Sequence, residues 1–228
     1  MHGGASPRTT WAGLEPLSAR WSLGYVHRRG YPPSPPVDPR QDFDVDADDL
    51  EPLLAGRPHL VMHSYGSLGS LIAAARVPEE VRSLTVIEPP LGQLIAGDPD
   101  ADRLVQLGDE VLTHGMDTEP SRVREFLHIA GAPLFGPGPL PDDVAAGVRR
   151  AHGSRLASEA RPPLRVLREA GVPALVASGD HHAGLEKICD HVADELGADR
   201  VAYPGAGHFV PAAPGFAERL ERFLDAVS

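Results

Sequence analysis

Cysteine, lysine and asparagine are scarce or missing in this sequence. Its one cysteine, Cys189, cannot form an intrachain disulfide, so nothing argues for an oxidising compartment. Lys187 is the only lysine, and 21 basic residues against 32 acidic residues give a formal net charge of −11. Such a chain has no basic surface for a phosphate backbone, and we therefore expect no nucleic-acid partner.

Long apolar runs are missing as well. No stretch approaches the ~20 apolar residues that a membrane-spanning helix needs. The first residues, Met1-His2-Gly3-Gly4, have neither the charged region nor the apolar region of a signal peptide. We expect a cytoplasmic protein with no membrane partner. The 228 residues, of which 42% are hydrophobic, can still bury a substantial core, and their number suits one α/β domain that carries an insertion.

Short apolar runs ending in turn residues predict a series of β-strands. These strands are expected near Leu23–His27, His59–His63, Ser83–Glu88, Ala174–Ser178 and Arg200–Tyr203. Segments with helical spacing lie between them, at Asp46–Ala55, Leu68–Ala75 and Glu186–Leu196. The alternation predicts an α/β fold with a doubly wound, mostly parallel sheet. Ligands bind such a sheet beyond the carboxyl ends of its strands, where the sequence places Ser64, Glu88, Asp180 and His208.

The most informative stretch is Val61-Met62-His63-Ser64-Tyr65-Gly66-Ser67, which begins within the second of these strands and continues beyond its end. A strand that runs into one serine and then into small residues opening a helix is typical of a nucleophile elbow, a strained turn that needs small neighbours. Met62 stands where the usual G-x-S-x-G pattern has its first glycine. Alternatively, Ser64 caps the following helix.

A second candidate lies in the glycine-rich loop Pro204-Gly205-Ala206-Gly207-His208-Phe209. A serine hydroxyl is a weak nucleophile near neutral pH unless a base takes its proton, and a histidine has a suitable pKa. We therefore assign Ser64 as nucleophile and His208 as base. The alternative for His208 is a histidine on a surface loop.

The motifs H-G-G at positions 2–4, H-S-Y-G-S at 63–67 and G-A-G-H-F-V-P at 205–211 together resemble the α/β-hydrolase family over nearly the whole chain. The resemblance implies an oxyanion hole built from the backbone N–H groups of Gly4 and Tyr65. It also implies a helical cap at residues 91–164, inserted into a core of residues 1–90 and 165–228.

Two carboxylates compete for the role of triad acid. In the family the acid often follows the strand before the histidine, at the position that His182 holds here. Asp180 lies two residues earlier, whereas Glu88 ends the strand after the nucleophile's helix, a place where some family members carry the acid. We favour Glu88 and keep Asp180 as the alternative. Without a catalytic role, Glu88 would be a solvated residue before a turn and Asp180 a helix cap.

Within the expected cap, helical segments are predicted near Asp102–Thr113, Glu119–Ala130 and Pro141–Ala151. The resemblance implies that apolar cap residues supply part of a substrate pocket. The candidates are Leu104, Leu107, Val111, Phe126, Leu127, Leu134 and Phe135. The alternative is that most of them pack the cap onto the core.

The family fold also implies a strand before the H-G loop, yet only Met1 precedes His2. A sheet lacking an interior strand leaves backbone groups unpaired, at about 1–3 kcal/mol each if buried. We therefore expect that the N-terminal strands are truncated in this sequence and that Met1 is an internal methionine. A stop codon immediately upstream of Met1 would contradict this.

Taken together, these residues predict a serine hydrolase that cleaves a small, mostly apolar ester, thioester or lactone through an acyl-enzyme. A carbon–carbon bond hydrolase, a cofactor-free oxygenase and a non-catalytic ligand-binding homologue remain alternatives. We expect no cofactor and no metal, since the spacing of the 11 histidines fits no metal motif. The expected partner is a small-molecule substrate.

Overall fold

Four parallel strands form the sheet in the computed structural model, which describes residues 1–38 and 40–228. Among those residues the strands are β1 (His59–His63), β2 (Ser83–Ile87), β3 (Ala174–Ser178) and β4 (Asp199–Ala202). Their spatial order is β1-β2-β3-β4. Met62 pairs with Val86, and Val86 pairs with Val176, so the carboxyl ends of the central strands lie side by side.

The strands bury both faces of the sheet because their side chains alternate. Met62, Val86 and Val176 point into one core, whereas Ile87 and Leu175 point into another on the opposite face. A parallel strand with apolar residues at almost every position needs helices on both faces. This explains why β2 and β3 are buried along their whole length.

Nine α-helices surround the sheet in the described part of the chain. They are α1 (Pro7–Trp11), α2 (Phe43–Leu50), α3 (Gly66–Arg76), α4 (Pro99–His114), α5 (Pro120–Ile129), α6 (Asp142–Ala151), α7 (Leu164–Glu169), α8 (Ala183–Leu196) and α9 (Phe216–Ala226).

Helices cover both faces of the sheet. Residues of α2, α3, α7 and α8 share the first core, including Phe43, Leu71 and Ile188. The opposite core holds Trp11 and Phe216, from α1 and α9. The predicted doubly wound, parallel α/β sheet is therefore confirmed.

Helices α4, α5 and α6 lie between β2 and β3 in the sequence, within residues 91–164, which we call the inserted segment. They occupy the three positions expected for helices there. Their shared core is small and consists of Val111, Val123 and Val148. On the other side, α4 packs against α8, which anchors the inserted segment to the sheet.

The strand expected at Leu23–His27 does not form, and this prediction is wrong. Leu23 and Val26 are partly buried against the two opposite cores, so their apolar character reflects packing rather than sheet pairing. The free edge of β1 is instead contacted by Met1, whose amine lies 2.5 Å from the Val61 carbonyl oxygen. The His63 N–H donates to the Met1 carbonyl at 3.0 Å.

None of the helices in residues 1–38 and 40–228 has the length and the apolar content that crossing a bilayer requires.

Candidate active site

Three candidate residues share an unusual backbone conformation at the strand ends. Ser64, Glu88 and Asp180 have positive φ angles of 53°, 46° and 51°. This left-handed region is sparsely populated by residues other than glycine, and such strain is concentrated at functional sites. The residues follow β1, β2 and β3 respectively, so the strain collects at one edge of the sheet.

The turn at Ser64 has the geometry of the predicted elbow. The Ser64 N–H donates to the Ile87 carbonyl at 2.9 Å, and the Ser64 carbonyl accepts from the Ser67 N–H at 2.8 Å. A side chain at position 66 would overlap the backbone oxygen of His2, which explains the glycine. Met62 is fully buried in the core beside α3, so the elbow accommodates this departure from the usual pattern.

His208 and Glu88 meet beneath the cavity that Ser64 lines. The Nδ1 atom of His208 lies 2.6 Å from Oε2 of Glu88. The other carboxylate oxygen, Oε1, accepts from the Gly179 N–H at 2.7 Å. Because Glu88 is fully buried, these hydrogen bonds replace the hydrogen bonds to water that an exposed carboxylate would make.

Asp180, the alternative acid, is placed differently. It is exposed, and its backbone N–H donates to Oε1 of Glu186 at 3.0 Å. His182, at the family's usual acid position, caps α8 by accepting from the Gly184 N–H at 3.2 Å. Of the two predicted carboxylates, Glu88 is the one that contacts His208.

The electrostatics favour a charged Glu88. Burial alone would raise the pKa of this carboxyl, but the two facing rings of His181 and His208 outweigh it and lower the pKa to about 2. Glu88 is therefore a carboxylate at neutral pH, able to accept the Nδ1–H of His208 and to fix the tautomer of that ring.

His63 supports the histidine loop from below. Its Nε2 donates to the His208 carbonyl at 2.8 Å, and its ring is buried. Burial, together with the nearby His208, lowers the pKa of His63 to about 3, so the ring is neutral. Although His63 belongs to the elbow motif, sequence reasoning gave it no role, because the contact joins residues 145 positions apart.

The H-G-G loop runs against the elbow. A Cβ at Gly3 would lie 2.6 Å from the Ser64 Cβ. His2 is buried; its Nδ1 donates to the Ala5 carbonyl at 2.7 Å while its Nε2 accepts from the Arg28 N–H at 3.2 Å. Burial and the Arg28 charge lower the pKa of His2 to about 3, so a neutral imidazole holds the loop in shape.

Buried side chains also fix the peptide that carries the Gly4 N–H. Nη1 of Arg28 donates to the Gly3 carbonyl at 3.2 Å, and Arg28 is itself paired with Asp46 at 2.6 Å. Because a carbonyl and the next N–H point in opposite directions, this contact turns the Gly4 N–H away from Arg28. Within the described residues neither the Gly4 N–H nor the Tyr65 N–H donates to a protein acceptor.

A cavity of about 550 Å³ opens above Ser64 and is lined by Gly4, Tyr65 and His208 as well. Most of its wall comes from the inserted segment and is apolar. The apolar side chains there include Leu104, Val105, Leu112, Phe126, Leu127 and Ile129.

The prediction of pocket residues is partly wrong. Leu104, Phe126 and Leu127 line the cavity. Leu107 and Val111 are instead buried in packing contacts, each with 1% of its surface exposed. Leu134 is 80% exposed, and Phe135 also lies outside the cavity wall. The proline-rich loop after α5 contributes Gly131, Ala132 and Pro133 to the cavity wall, but the next residue, Leu134, is exposed to solvent.

One acidic side chain interrupts the apolar wall. Asp109 of α4 lines the cavity, and its Oδ2 accepts from the Ser158 hydroxyl at 2.7 Å. Burial raises the pKa of the Asp109 carboxyl. Arg150, Ser154 and Ser158 are further polar residues that the inserted segment contributes to the wall.

Sequence reasoning missed one further neighbour of Glu88. His181 places Nδ1 at 3.3 Å from Oε1 of Glu88 and donates from Nε2 to the Ile129 carbonyl at 3.0 Å. The feature of the sequence that could have indicated a role for His181 is the pair His181-His182, because it stands where the family carries an acid.

Glu88, His181 and His208 place possible metal ligands within 4.8 Å of one another. Two ligands on a tetrahedral zinc with bonds of about 2.0–2.1 Å stand roughly 3.3 Å apart. The 2.6 Å between Glu88 and His208 is instead a hydrogen-bond distance, so a metal would require these side chains to separate.

Comparisons with known proteins agree with this architecture. The model of the alpha/beta hydrolase family matches residues 1–223. Among curated proteins, no significant match is found. Naproxen esterase (carboxylesterase NP) from Bacillus subtilis is a similar solved structure, with 23% identity and a TM-score of 0.64 over 98% of this chain and 81% of that one.

Two other solved structures resemble the chain equally well. A carboxylesterase structure from Nitrososphaera gargenis has 16% identity and a TM-score of 0.63, covering 100% of this chain and 89% of that one. A haloalkane dehalogenase variant from Bradyrhizobium elkanii has 19% identity and a TM-score of 0.62, covering 99% and 88%. At these identities the likeness concerns the fold.

Proposed function

Since the chain belongs to the alpha/beta hydrolase family, we propose that it is a serine hydrolase that cleaves a small, mostly apolar ester, thioester or lactone through an acyl-enzyme. The observation that carries this proposal is the 2.6 Å contact between His208 and a fully buried Glu88, next to a serine with positive φ on the same cavity wall. A neutral imidazole oriented by a carboxylate is what a serine needs to become nucleophilic.

In the proposed mechanism, Oγ of Ser64 attacks the carbonyl carbon of the substrate while Nε2 of His208 takes the hydroxyl proton. Glu88 accepts the Nδ1–H bond and stabilises the imidazolium that forms. The carbonyl oxygen becomes an oxyanion that the N–H groups of Gly4 and Tyr65 stabilise, with each donor contributing about 3 kcal/mol.

The tetrahedral intermediate then collapses. The C–O or C–S bond to the leaving group breaks, His208 returns its proton to that group, and an acyl-Ser64 ester remains. In the second half, water gives a proton to His208 and attacks the acyl carbon. Collapse releases the carboxylic acid and returns the proton to Ser64.

The cavity supports the substrate class. About 550 Å³ is enough for a small ligand, and the wall contributed by the inserted segment is largely apolar. We propose that residues 91–164 act as a cap whose side chains contact the acyl or alcohol part, while residues 1–90 and 165–228 form the core that carries the chemistry.

Two observations weaken the reading of a non-catalytic binding protein. Its support in the sequence was Met62 at the elbow and His182 at the usual acid position. Met62 packs into the core without removing the positive φ of Ser64, and Glu88 supplies a carboxylate to His208 in place of residue 182.

The test is labelling by a fluorophosphonate probe, which reacts with activated serines. We expect the wild-type protein to be labelled and Ser64→Ala to remain unlabelled. Ser67→Ala is the matched control: among the residues that the structure describes, its buried hydroxyl has no hydrogen-bond partner, and it does not line the cavity, so labelling should persist. A folded wild-type protein that is not labelled would contradict the proposal and favour a scaffold that binds its ligand without turnover.

Hydrolysis of p-nitrophenyl esters of graded chain length should accompany the labelling. We expect the rate to peak at a short or medium acyl chain, because the cavity is small. A rate independent of chain length would contradict the assignment of the cavity as the acyl pocket.

A further inference from the structure

Glu88 is shared between two histidines, and the proposed mechanism uses only one of them. His208 contacts Oε2, while His181 faces Oε1 at 3.3 Å. Burial and the hydrogen bond from Gly179 already direct Oε1 towards the loop that holds His181. The second histidine therefore contacts the carboxylate that orients the first.

The hydrogen bonds of His181 depend on its protonation state. Its Nε2 donates to the Ile129 carbonyl at 3.0 Å, which uses the single proton of a neutral imidazole. Nδ1 then presents a lone pair to the Glu88 carboxylate, and within the described residues this buried nitrogen has no hydrogen-bond partner. Only the imidazolium has protons for both neighbours.

The two neighbours belong to different parts of the fold. Glu88 follows β2 in the core, whereas Ile129 ends α5 of the inserted segment and lines the cavity. A doubly protonated His181 therefore links the triad acid directly to the cavity wall.

We propose that His181 is a positioning residue that acts in its protonated form: one N–H holds Oε1 of Glu88 and the other holds the carbonyl of Ile129, which ties the inserted segment to the triad. This inference rests on the proposed function only for its effect on activity. The hydrogen bonds themselves can be tested without turnover.

The charges around His181 favour the protonated form. Burial lowers the pKa of this ring, but the negative charge of the nearby Glu88, with the Ile129 carbonyl and Glu186 of α8, raises the pKa above its ordinary value of 6.5. The remaining titratable groups around the cleft in front of the ring are Asp100 and Arg103 of α4, Glu125 and His128 of α5, His182 and His208.

The proposal has a definite consequence for pH dependence. Activity requires a protonated His181, so kcat/KM falls as pH increases through a pKa above 6.5.

The first measurement is the pH profile of p-nitrophenyl ester hydrolysis from pH 5 to pH 10. For His181→Gln we expect loss of the falling limb and a kcat at pH 7 reduced on the order of tenfold, since a loosened acid orients His208 less well. His182→Asn is the matched control, because asparagine retains the ability to cap α8 and should preserve the profile. Superimposable profiles for wild type and His181→Gln, or equal changes in both variants, would overturn the proposal.

The second measurement does not depend on activity. Long-range nitrogen–proton NMR spectra of the histidine rings should show a His181 imidazolium that titrates above pH 6.5. In Glu88→Gln this pKa should fall by about one unit or more, because the nearby negative charge is gone. A His181 ring that is neutral at pH 6 would overturn the proposal whatever the enzyme does, whereas an unlabelled Ser64 with a titrating His181 would contradict only the serine hydrolase.

Discussion

The two halves of the cavity wall are built differently. On the sheet side, Glu88 is fully buried and His208 is 8% exposed. The two side chains are in contact at 2.6 Å, the Gly179 N–H donates to Glu88 at 2.7 Å, and the His63 ring donates to the His208 carbonyl at 2.8 Å. On the side of the inserted segment, Leu104, Phe126 and Leu127 are only partly buried. Phe126 and Leu127 are held by van der Waals contacts around a core of three valines, and Leu104 packs against the first core.

The difference suits two separate roles in the proposed function: the sheet side positions the reacting groups, and the inserted segment contacts the substrate. Groups that must hold a proton or a charge in place are fixed by short hydrogen bonds at strand ends, where the backbone is rigid on both sides. In the proposed function, the groups that define the size of the substrate lie on helices whose shared core is small, where side chains can change without disturbing the sheet. Substitutions on the sheet side should therefore affect the rate of every substrate, and substitutions in the inserted segment should affect the choice among substrates.

The largest effect is expected from Glu88→Gln. Glutamine keeps the shape of the side chain but lacks the charge that fixes the His208 tautomer, and kcat should fall by about 10⁴-fold for every ester. Steady-state kinetics on short and long p-nitrophenyl esters measure this.

Asp180→Asn is the control for Glu88, because Asp180 is exposed and its backbone rather than its side chain makes the described hydrogen bond. Its kcat should stay within a factor of about three of wild type. Equal and mild losses in both variants would remove both carboxylates from the mechanism.

Gly3→Ala should have the next largest effect. The new Cβ would lie 2.6 Å from the Ser64 Cβ and 3.1 Å from its Oγ, so either the nucleophile or the H-G-G loop must shift. A displacement of about 1 Å can reduce the rate about 100-fold, and we expect that loss for all chain lengths. Gly56→Ala is the matched control, since its Cβ meets nothing within 4 Å. Comparable losses in the two variants would mean that the effect is one of folding.

The buried histidines on the sheet side should also make the free energy of unfolding depend on pH. His2 and His63 have pKa values of about 3 in the folded protein, chiefly because of burial, against 6.5 in the unfolded chain. Their contribution to stability is complete above pH 6.5. As pH falls from 6.5 towards 3, the unfolded chain binds protons that the folded protein excludes, so the free energy of unfolding decreases by about 2 kcal/mol per histidine by pH 5.

Urea unfolding at pH 8, 7, 6 and 5 measures this loss. The pKa of Glu88 is about 2 in the folded protein against 4.5 in the unfolded chain, so the stability that this carboxylate contributes is constant between pH 8 and pH 5 and is lost only as pH falls from 4.5 towards 2. His2→Gln and His63→Gln should each make the decrease between pH 7 and pH 5 smaller by about 2 kcal/mol. A transition midpoint that does not change with pH in the wild type would contradict the assignment of both rings as neutral.

Sequence patterns predicted the sheet well where local and tertiary requirements agree. The runs at 59–63, 83–87 and 174–178 are mostly apolar because helices cover both faces, and a buried strand is the structure that such runs favour. At Leu23–His27 the same pattern misleads. Leu23 and Val26 are apolar because they cover the ends of two cores, and local sequence does not reveal whether a ladder partner exists.

The candidate site shows the same limit. Ser64 and His208 could be named from their motifs, but the choice between Glu88 and Asp180 depends on which carboxylate reaches His208, a contact across 120 residues. The role of His181 depends on Glu88 on one side and on a carbonyl 52 residues away on the other. No spacing rule in the sequence reports such distances.

The smallest expected effect, and the most selective, is that of Phe126→Ala in the inserted segment. Phe126 lines the cavity, and the loss of its ring should lower kcat/KM on the order of tenfold for the best-fitting acyl chain while acetate esters change little. Leu134→Ala is the matched control on the same segment, because Leu134 is 80% exposed and outside the cavity wall. Parallel profiles for Leu134→Ala and wild type, beside a changed chain-length preference for Phe126→Ala, would place substrate selection in the cavity wall. If both variants instead lower the rate for all esters equally, the inserted segment acts through its own stability, and the division between the two halves of the cavity does not hold.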